Sequence, residues 1–228
     1  MQTLIELDRN ILSFFNGSDS LFLDNLVVFL TSGLTWIPLY MALLYVVIKN
    51  SETMKQIMLV MGCVFLCMLL SDGMADFIVK PLVGRPRPSH DPLIKYAVDI
   101  VGGMRGGQHG FFSAHASNTF SVAVFFSLLV RNRTFVTAML TWSFVNCWTR
   151  MYLGLHYPID ILVGLLWGGL SGAFAYYVYI KAYLRMYPDF NYISSQYTST
   201  GYNRVDIGIV MAVLSLTLVF GIIKSLFF

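Results

Sequence analysis

Hydrophobic residues in this chain come in long blocks, not in the alternation of a half-buried strand. Six blocks approach or exceed the ~20 residues that a helix needs to cross a bilayer. They cover 25–48, 56–79, 112–130, 135–155, 158–180 and 205–228, and most charged residues fall between them or at their ends. The pattern predicts an all-α, polytopic membrane bundle of six transmembrane helices, forming a single domain over 1–228. Ahead of the first block, Leu4, Leu7, Ile11, Leu12, Phe14 and Phe15 share one arc of a helical wheel, while Glu6, Arg9, Asn10 and Ser13 take the other. Residues 3–15 are therefore expected to form an amino-terminal helix lying at the membrane interface. Asp8 interrupts the apolar arc, and a disordered leader is the alternative. The segment begins acidic, with no basic stretch before its apolar residues, so it is not expected to be a secretory signal.

Composition supports the membrane assignment: 57% of residues are hydrophobic and 12% are charged, which leaves little from which to build a soluble domain. The net charge of +3 comes from basic residues scattered among loops, so no nucleic-acid partner is expected. Cys63, Cys67 and Cys147 lie inside apolar blocks and are expected to pack as small apolar side chains. Cys63 and Cys67 share a helix face, but two thiols without a nearby His or carboxylate make a poor metal site.

Charge also orients the bundle. The connections 49–55, 131–134 and 181–204 carry Lys49, Lys55, Arg131, Arg133, Lys181, Arg185 and Arg204 against Glu52 and Asp189. Short loops rich in Lys and Arg stay cytoplasmic. The opposite end holds the amino terminus, the 80–111 loop and the 155–158 turn, and is expected to face outward from an inner membrane.

Three polar pieces share that outward end. The second block runs into Lys80, followed by Arg85-Pro86 and Arg87-Pro88. A residue before proline is pushed out of the helical region, so these arginines are expected to project from an extended segment. The third block opens at Ser113, a good helix cap, with His115 in the first turn of a helix whose free N–H groups can hold an anion. The fourth block ends near Arg150, and the fifth begins at Pro158, with His156 just outside and Asp160 in its first turn. Arginine grips phosphate through a fork of donors. A carboxylate on one imidazole nitrogen leaves the other free to attack.

These pieces resemble the three signatures of the type 2 phosphatidic acid phosphatase superfamily, which also contains glucose-6-phosphatase and vanadium haloperoxidases. Lys-x6-Arg-Pro matches Lys80 through Arg87-Pro88. Ser-Arg-x5-His-x3-Asp matches Arg150, His156 and Asp160, with Thr149 in place of Ser. Pro-Ser-Gly-His becomes Phe112-Ser113-Ala114-His115. The resemblance covers residues 80–160 and implies a membrane lipid phosphatase that needs no metal or other cofactor. It implies that His156 is the nucleophile, that Asp160 orients it, and that His115 is general acid and then base. Lys80, Arg87, Ser113 and Arg150 would bind the substrate phosphate.

Other features stay open at this level. Asp72 and Asp76 precede Lys80 at helical spacing, as structural partners or as a proton relay. The glycine-rich run 102–110 is either a lid, with Arg105 gripping a second anion, or a tether. Gly164, Gly168 and Gly172 form a small-residue stripe expected to pack against a neighbouring helix. Undecaprenyl diphosphate, lipid A, phosphatidylglycerol phosphate and phosphatidate all fit as substrates, with an envelope lipid favoured. A phosphotransferase would use the same residues, and a haloperoxidase would need vanadate. A lipid or ion transporter is the non-enzymatic alternative, and oligomeric state has no signal in the chain.

Overall fold

A computed structural model describes residues 2–186 and 196–227. The described elements are helical: α1 Gln2–Phe15, α2 Leu21–Thr31, α3 Ile37–Lys49, α4 Met54–Asp72, the four-residue α5 Lys80–Val83, α6 Ala114–Val130, α7 Arg133–Tyr152, α8 Pro158–Met186 and α9 Arg204–Phe227. Asp189, counted above with the basic loops, lies outside the described residues, as do Met1 and Phe228.

All six apolar blocks are helical, but they do not make six uniform spans. Among the described residues, three helices are long and apolar enough to cross a membrane: 54–83, Pro158–Met186 and Arg204–Phe227. The first block is broken at Ser32 into α2 and a second rod bent by 67°, which makes a fourth crossing if taken as one span. α6 is apolar but only 17 residues long. α7 has 20 residues but buries Ser143, Asn146 and Thr149 and carries Arg150 in its last turn. Part of the polar face of α7 is turned against α6, where Ser143 Oγ meets Thr119 Oγ1 at 3.0 Å.

α6 occupies the centre, packed against α4, α7 and α8, while α9 covers α2 and α3. Burial of Ala116, Thr119, Val122, Ala123 and Phe125 wraps most of its circumference, as expected of a helix with apolar neighbours on several sides. The small-residue stripe sets its distance from α8. A Cβ added at Gly164 would fall 2.7 Å from the Ser113 carbonyl oxygen, and one at Gly168 or Gly172 would fall 2.5 Å from that of Ser117 or Ser121. Only hydrogen fits there, so the backbones approach closely and the amino-terminal ends of both helices meet. Ser113 N–H donates to the Asp160 carbonyl oxygen at 3.1 Å.

Between α4 and α5, residues Gly73–Val79 form a π-helix in which Lys80 N–H reaches back five residues to the Ala75 carbonyl. Pro81 supplies the reason, since it lacks an N–H and its ring crowds the carbonyl four residues earlier. The wider turn breaks the expected row of Asp72, Asp76 and Lys80. Lys80 pairs with Asp76, while Asp72 turns to α6 and accepts from Asn118 Nδ2 at 2.7 Å. The cysteines are buried free thiols.

Sequence-distant loops meet at each end. Asn203 N–H donates to Asn50 Oδ1 at 2.6 Å, and Thr200 Oγ1 donates to the Val130 carbonyl at 3.2 Å, which gathers the basic connections. The opposite end brings together α1, the 84–113 loop and the turn between α7 and α8. Here α1 differs from a simple surface helix. Leu7, Ile11 and Phe14 stay exposed, but Asp8 and Leu12, one turn apart, are buried.

Gly168→Ala is expected to force α6 away from α8 at a cost of ~1–3 kcal/mol, the usual range for overpacking. Thermal unfolding in detergent should show the loss, and unchanged stability would contradict the close-approach account.

Candidate active site

The end of the bundle opposite the basic connections is built around the extended segment that carries both arginine–proline pairs. Arg87 N–H donates to the Gln108 carbonyl at 3.1 Å, and Gly110 N–H donates to the Arg85 carbonyl at 2.8 Å. This single rung of antiparallel pairing holds 85–87 straight and points Arg85 and Arg87 into the bundle end. It also gives the glycine-rich run a role. A Cβ at Gly106, where φ is +64°, would sit 3.0 Å from Arg87 Nη1, and one at Gly110 would sit 3.1 Å from Arg87 Cγ. The run lies against the Arg87 side chain, and the Arg105 carbonyl is fixed by Ser89 Oγ at 3.0 Å.

Arg87 Nη1 approaches His156 Nε2 at 3.0 Å and the Leu155 carbonyl at 3.3 Å. Across the site, Arg150 Nη2 approaches His115 Nε2 at 2.6 Å and the Thr31 carbonyl at 2.9 Å. A guanidinium only donates, so both imidazole Nε2 atoms act as acceptors and the neutral rings carry their protons on Nδ1. For His156 that places Nδ1–H toward Asp160 Oδ2, 3.7 Å away. This is an electrostatic contact and too long for a hydrogen bond. Asp160 is itself pinned, with Oδ1 accepting from Arg85 Nη1 at 2.7 Å and Oδ2 from Tyr157 N–H at 3.0 Å.

His156 lies in the turn between α7 and α8 and is 3% exposed. Burial pushes its pKa from 6.5 down to about 4; Asp160 opposes the shift, while Arg87 and Lys80 reinforce it. The ring is therefore neutral, as a nucleophile requires, across ordinary pH. Burial likewise lowers the pKa of Arg87 from its usual value.

Among the cations that surround the two histidines, two stand apart. Lys80 is paired with Asp76, Arg85 with Asp8 and Asp160, and Arg9 with Asp91 at 3.1 Å. Arg87 and Arg150 have no carboxylate partner among the described residues, and their Nε–H groups are shut from solvent without a hydrogen-bond acceptor. Lys80 and Arg87 line a cleft of about 320 Å³ with Asp76, Pro81, Gly107, Gln108 and His109.

The residues singled out in the sequence thus gather at one end of the bundle, in two half-sites: Arg87, His156 and Asp160, and Arg150 and His115. Ser113 Oγ accepts from Ala116 N–H at 3.3 Å as the cap of α6, which keeps the helix start intact although Phe112 and Ala114 stand beside it. Thr149 is buried and faces α2, with its Oγ1 at 3.2 Å from Thr31 Oγ1. The sequence reasoning gives no role to Arg85 or Asp8. A signal exists, because Tyr157, just before α8, has no oxygen able to cap the helix. Ile159 N–H therefore needs an acceptor from elsewhere, and Asp8 Oδ1 supplies it at 2.9 Å.

Comparison with known proteins bears on the same region. The family model of the PAP2 superfamily matches residues 59–184. A lipid A 4'-phosphatase of Bacteroides thetaiotaomicron is 37% identical over 190 residues, covering 83% of this chain and 84% of that one. A lipid A 4'-phosphatase of Porphyromonas gingivalis is 33% identical over 184 residues, covering 80% of this chain and 77% of that one. The crystal structure of Aquifex aeolicus LpxE shares the fold at a TM-score of 0.58 and 21% identity, over 74% of this chain and 94% of that one. With the family match running through all three polar pieces, and helices long and apolar enough to cross a bilayer, the chain is an integral-membrane member of the PAP2 superfamily.

Proposed function

We propose that this protein is a membrane lipid phosphatase that removes a phosphate from lipid A, or from a closely similar envelope lipid, through a phosphohistidine on His156. One observation carries the proposal: two guanidinium groups without carboxylate partners, Arg87 and Arg150, each donate to the Nε2 of a histidine. A phosphoryl group between them would receive the counter-charge contacts that the arginines lack. It would also meet a nucleophile on one side and a proton carrier on the other. The lipid A 4'-phosphatases matched over four-fifths of the chain support the choice of substrate.

In the first step the His156 Nε2 lone pair forms a bond to phosphorus while the bond to the sugar oxygen breaks. The entering phosphate monoanion draws Arg150 from His115 and passes its proton to the freed Nε2, and the leaving oxygen takes that proton from His115. In the second, neutral His115 takes a proton from water as the water oxygen bonds to phosphorus and the N–P bond breaks, which releases phosphate and restores His156. Lys80, Arg87 and Arg150 hold the phosphoryl oxygens, and the Ser113 hydroxyl, which caps through its lone pair, keeps its own hydrogen for one of them. The gathered basic loops at the far end support an inner-membrane orientation with the site facing the periplasm. An apolar groove of about 920 Å³ between α2, α3 and α9, lined by Val28, Phe29, Ser32, Val213 and Phe220, begins one residue from Thr31, whose carbonyl holds Arg150. It suits an acyl chain whose headgroup reaches the site.

Purified protein with EDTA present is expected to release inorganic phosphate from lipid A in preference to undecaprenyl diphosphate, phosphatidylglycerol phosphate or phosphatidate. His156→Ala should abolish release with folding intact, and His115→Ala should lower it by about 10²–10⁴. A requirement for added metal, or release that survives His156→Ala, would contradict the proposal. Neutral His156 is the reactive form and is kept neutral down to about pH 4. Once the substrate's own phosphate ionisation is divided out, the acid limb of kcat/KM should therefore fall near 4. A limb at the ordinary histidine value would contradict the buried-nucleophile geometry.

A further inference from the structure

We propose that Asp8 and Arg85 are positioning residues for the reaction: Asp8, on the amino-terminal helix, balances the charge of Arg85 so that Asp160 keeps its own negative charge for His156. The inference rests on the phosphohistidine reading above. Arg85 Nη2 donates to Asp8 Oδ2, Nη1 donates to Asp160 Oδ1 at 2.7 Å, and the guanidinium stacks 4.1 Å above the Tyr157 ring. The side chains of both carboxylates are wholly buried. One guanidinium between two carboxylates leaves the trio with a net charge of minus one. Without Asp8, Arg85 would cancel Asp160.

The charge matters because of what surrounds His156. Lys80 of α5, Arg85 and Arg87 of the extended segment, His115 of α6 and Arg150 of α7 bring cations and a second imidazole, and Asp76 is taken up by Lys80. Asp160 of α8 is the carboxylate in reach of Nδ1, at 3.7 Å. As the bond from Nε2 to phosphorus forms, the ring keeps its Nδ1 proton and becomes cationic, so negative charge at Asp160 stabilises the new bond selectively.

The scaffold holds Asp8 in register with Asp160. Asp8 Oδ1 caps Ile159 N–H at 2.9 Å, one residue before Asp160. α1 is fastened just beyond this contact and again past its end. Arg9 pairs with Asp91, which also accepts from Tyr157 Oη at 2.7 Å, and Asn16 Nδ2 donates to the Tyr152 carbonyl at 2.7 Å.

The test uses full-length protein in detergent, with phosphate release from lipid A and thermal unfolding both measured. Asp8→Asn should lower kcat by about tenfold or more with KM little changed, because the lost term acts only in the transition state. The double variant Asp8→Asn/Arg85→Gln should regain at least about fivefold over Asp8→Asn, since removing both charges returns Asp160 to minus one; this is a coupling that independent losses cannot give. Glu6→Gln, which removes a carboxylate from the exposed face of α1, should stay within about twofold of wild type. A double variant no better than Asp8→Asn, or Asp8→Asn with wild-type kcat, overturns the inference. Asp160→Asn sets the floor of the series, and a double variant as impaired as Asp160→Asn overturns the proposal. Wild-type protein that releases no phosphate overturns the functional reading, and this inference with it.

Discussion

Cations at the end of a membrane bundle must be neutralised within a few ångströms, because neither lipid nor a closed protein interior can solvate them. Lys80, Arg85 and Arg9 meet that requirement with Asp76, with Asp8 and Asp160, and with Asp91. Arg87 and Arg150 do not; they are held by histidine nitrogens and backbone carbonyls, which orient them without cancelling their charge. An uncompensated charge of this kind is costly, on the order of several kcal/mol, and is kept only where the surrounding fold enforces it. A phosphoryl group bound between the two arginines, as proposed, would recover that cost.

The enforcement comes from backbone geometry more than from side-chain pairing. Three glycines on α8 bring α6 close enough for the amino-terminal ends of the two helices to be joined by the Ser113 to Asp160 hydrogen bond. That join sets the His115 half of the site against the His156 half. Gly106 and Gly110 let the loop lie directly on Arg87, and a short β-bridge keeps the arginine segment straight. The α8 positions have room for little more than hydrogen and the loop positions lie tight against Arg87, so the scaffold holds its uncompensated arginines by close packing.

Much of this was legible in the sequence. The apolar blocks located the helices, the Arg-Pro pairs foretold an extended segment, and the spacing of Arg150, His156 and Asp160 placed all three about the junction of α7 and α8. What escaped has physical causes. A six-span count treats every apolar block alike, and cannot see that α2 and α3 are bent at Ser32 or that α7 turns polar residues inward. A regular helical wheel aligned Asp72 with Lys80, but the π-helix imposed ahead of Pro81 turned it to Asn118. Asp8 looked like a flaw in an amphipathic pattern because its two partners, Arg85 and Ile159 N–H, lie 77 and 151 residues away. Local periodicity carries no information about contacts at that range.

The central claim is that phosphate passes through His156 on its way to water. It is tested most directly by the stereochemical course at phosphorus, with a lipid A analogue carrying an isotopically chiral thiophosphate hydrolysed in oxygen-labelled water. Two in-line displacements, first by His156 and then by water, predict net retention of configuration. Net inversion would mean that water attacks the substrate directly, and would contradict the account.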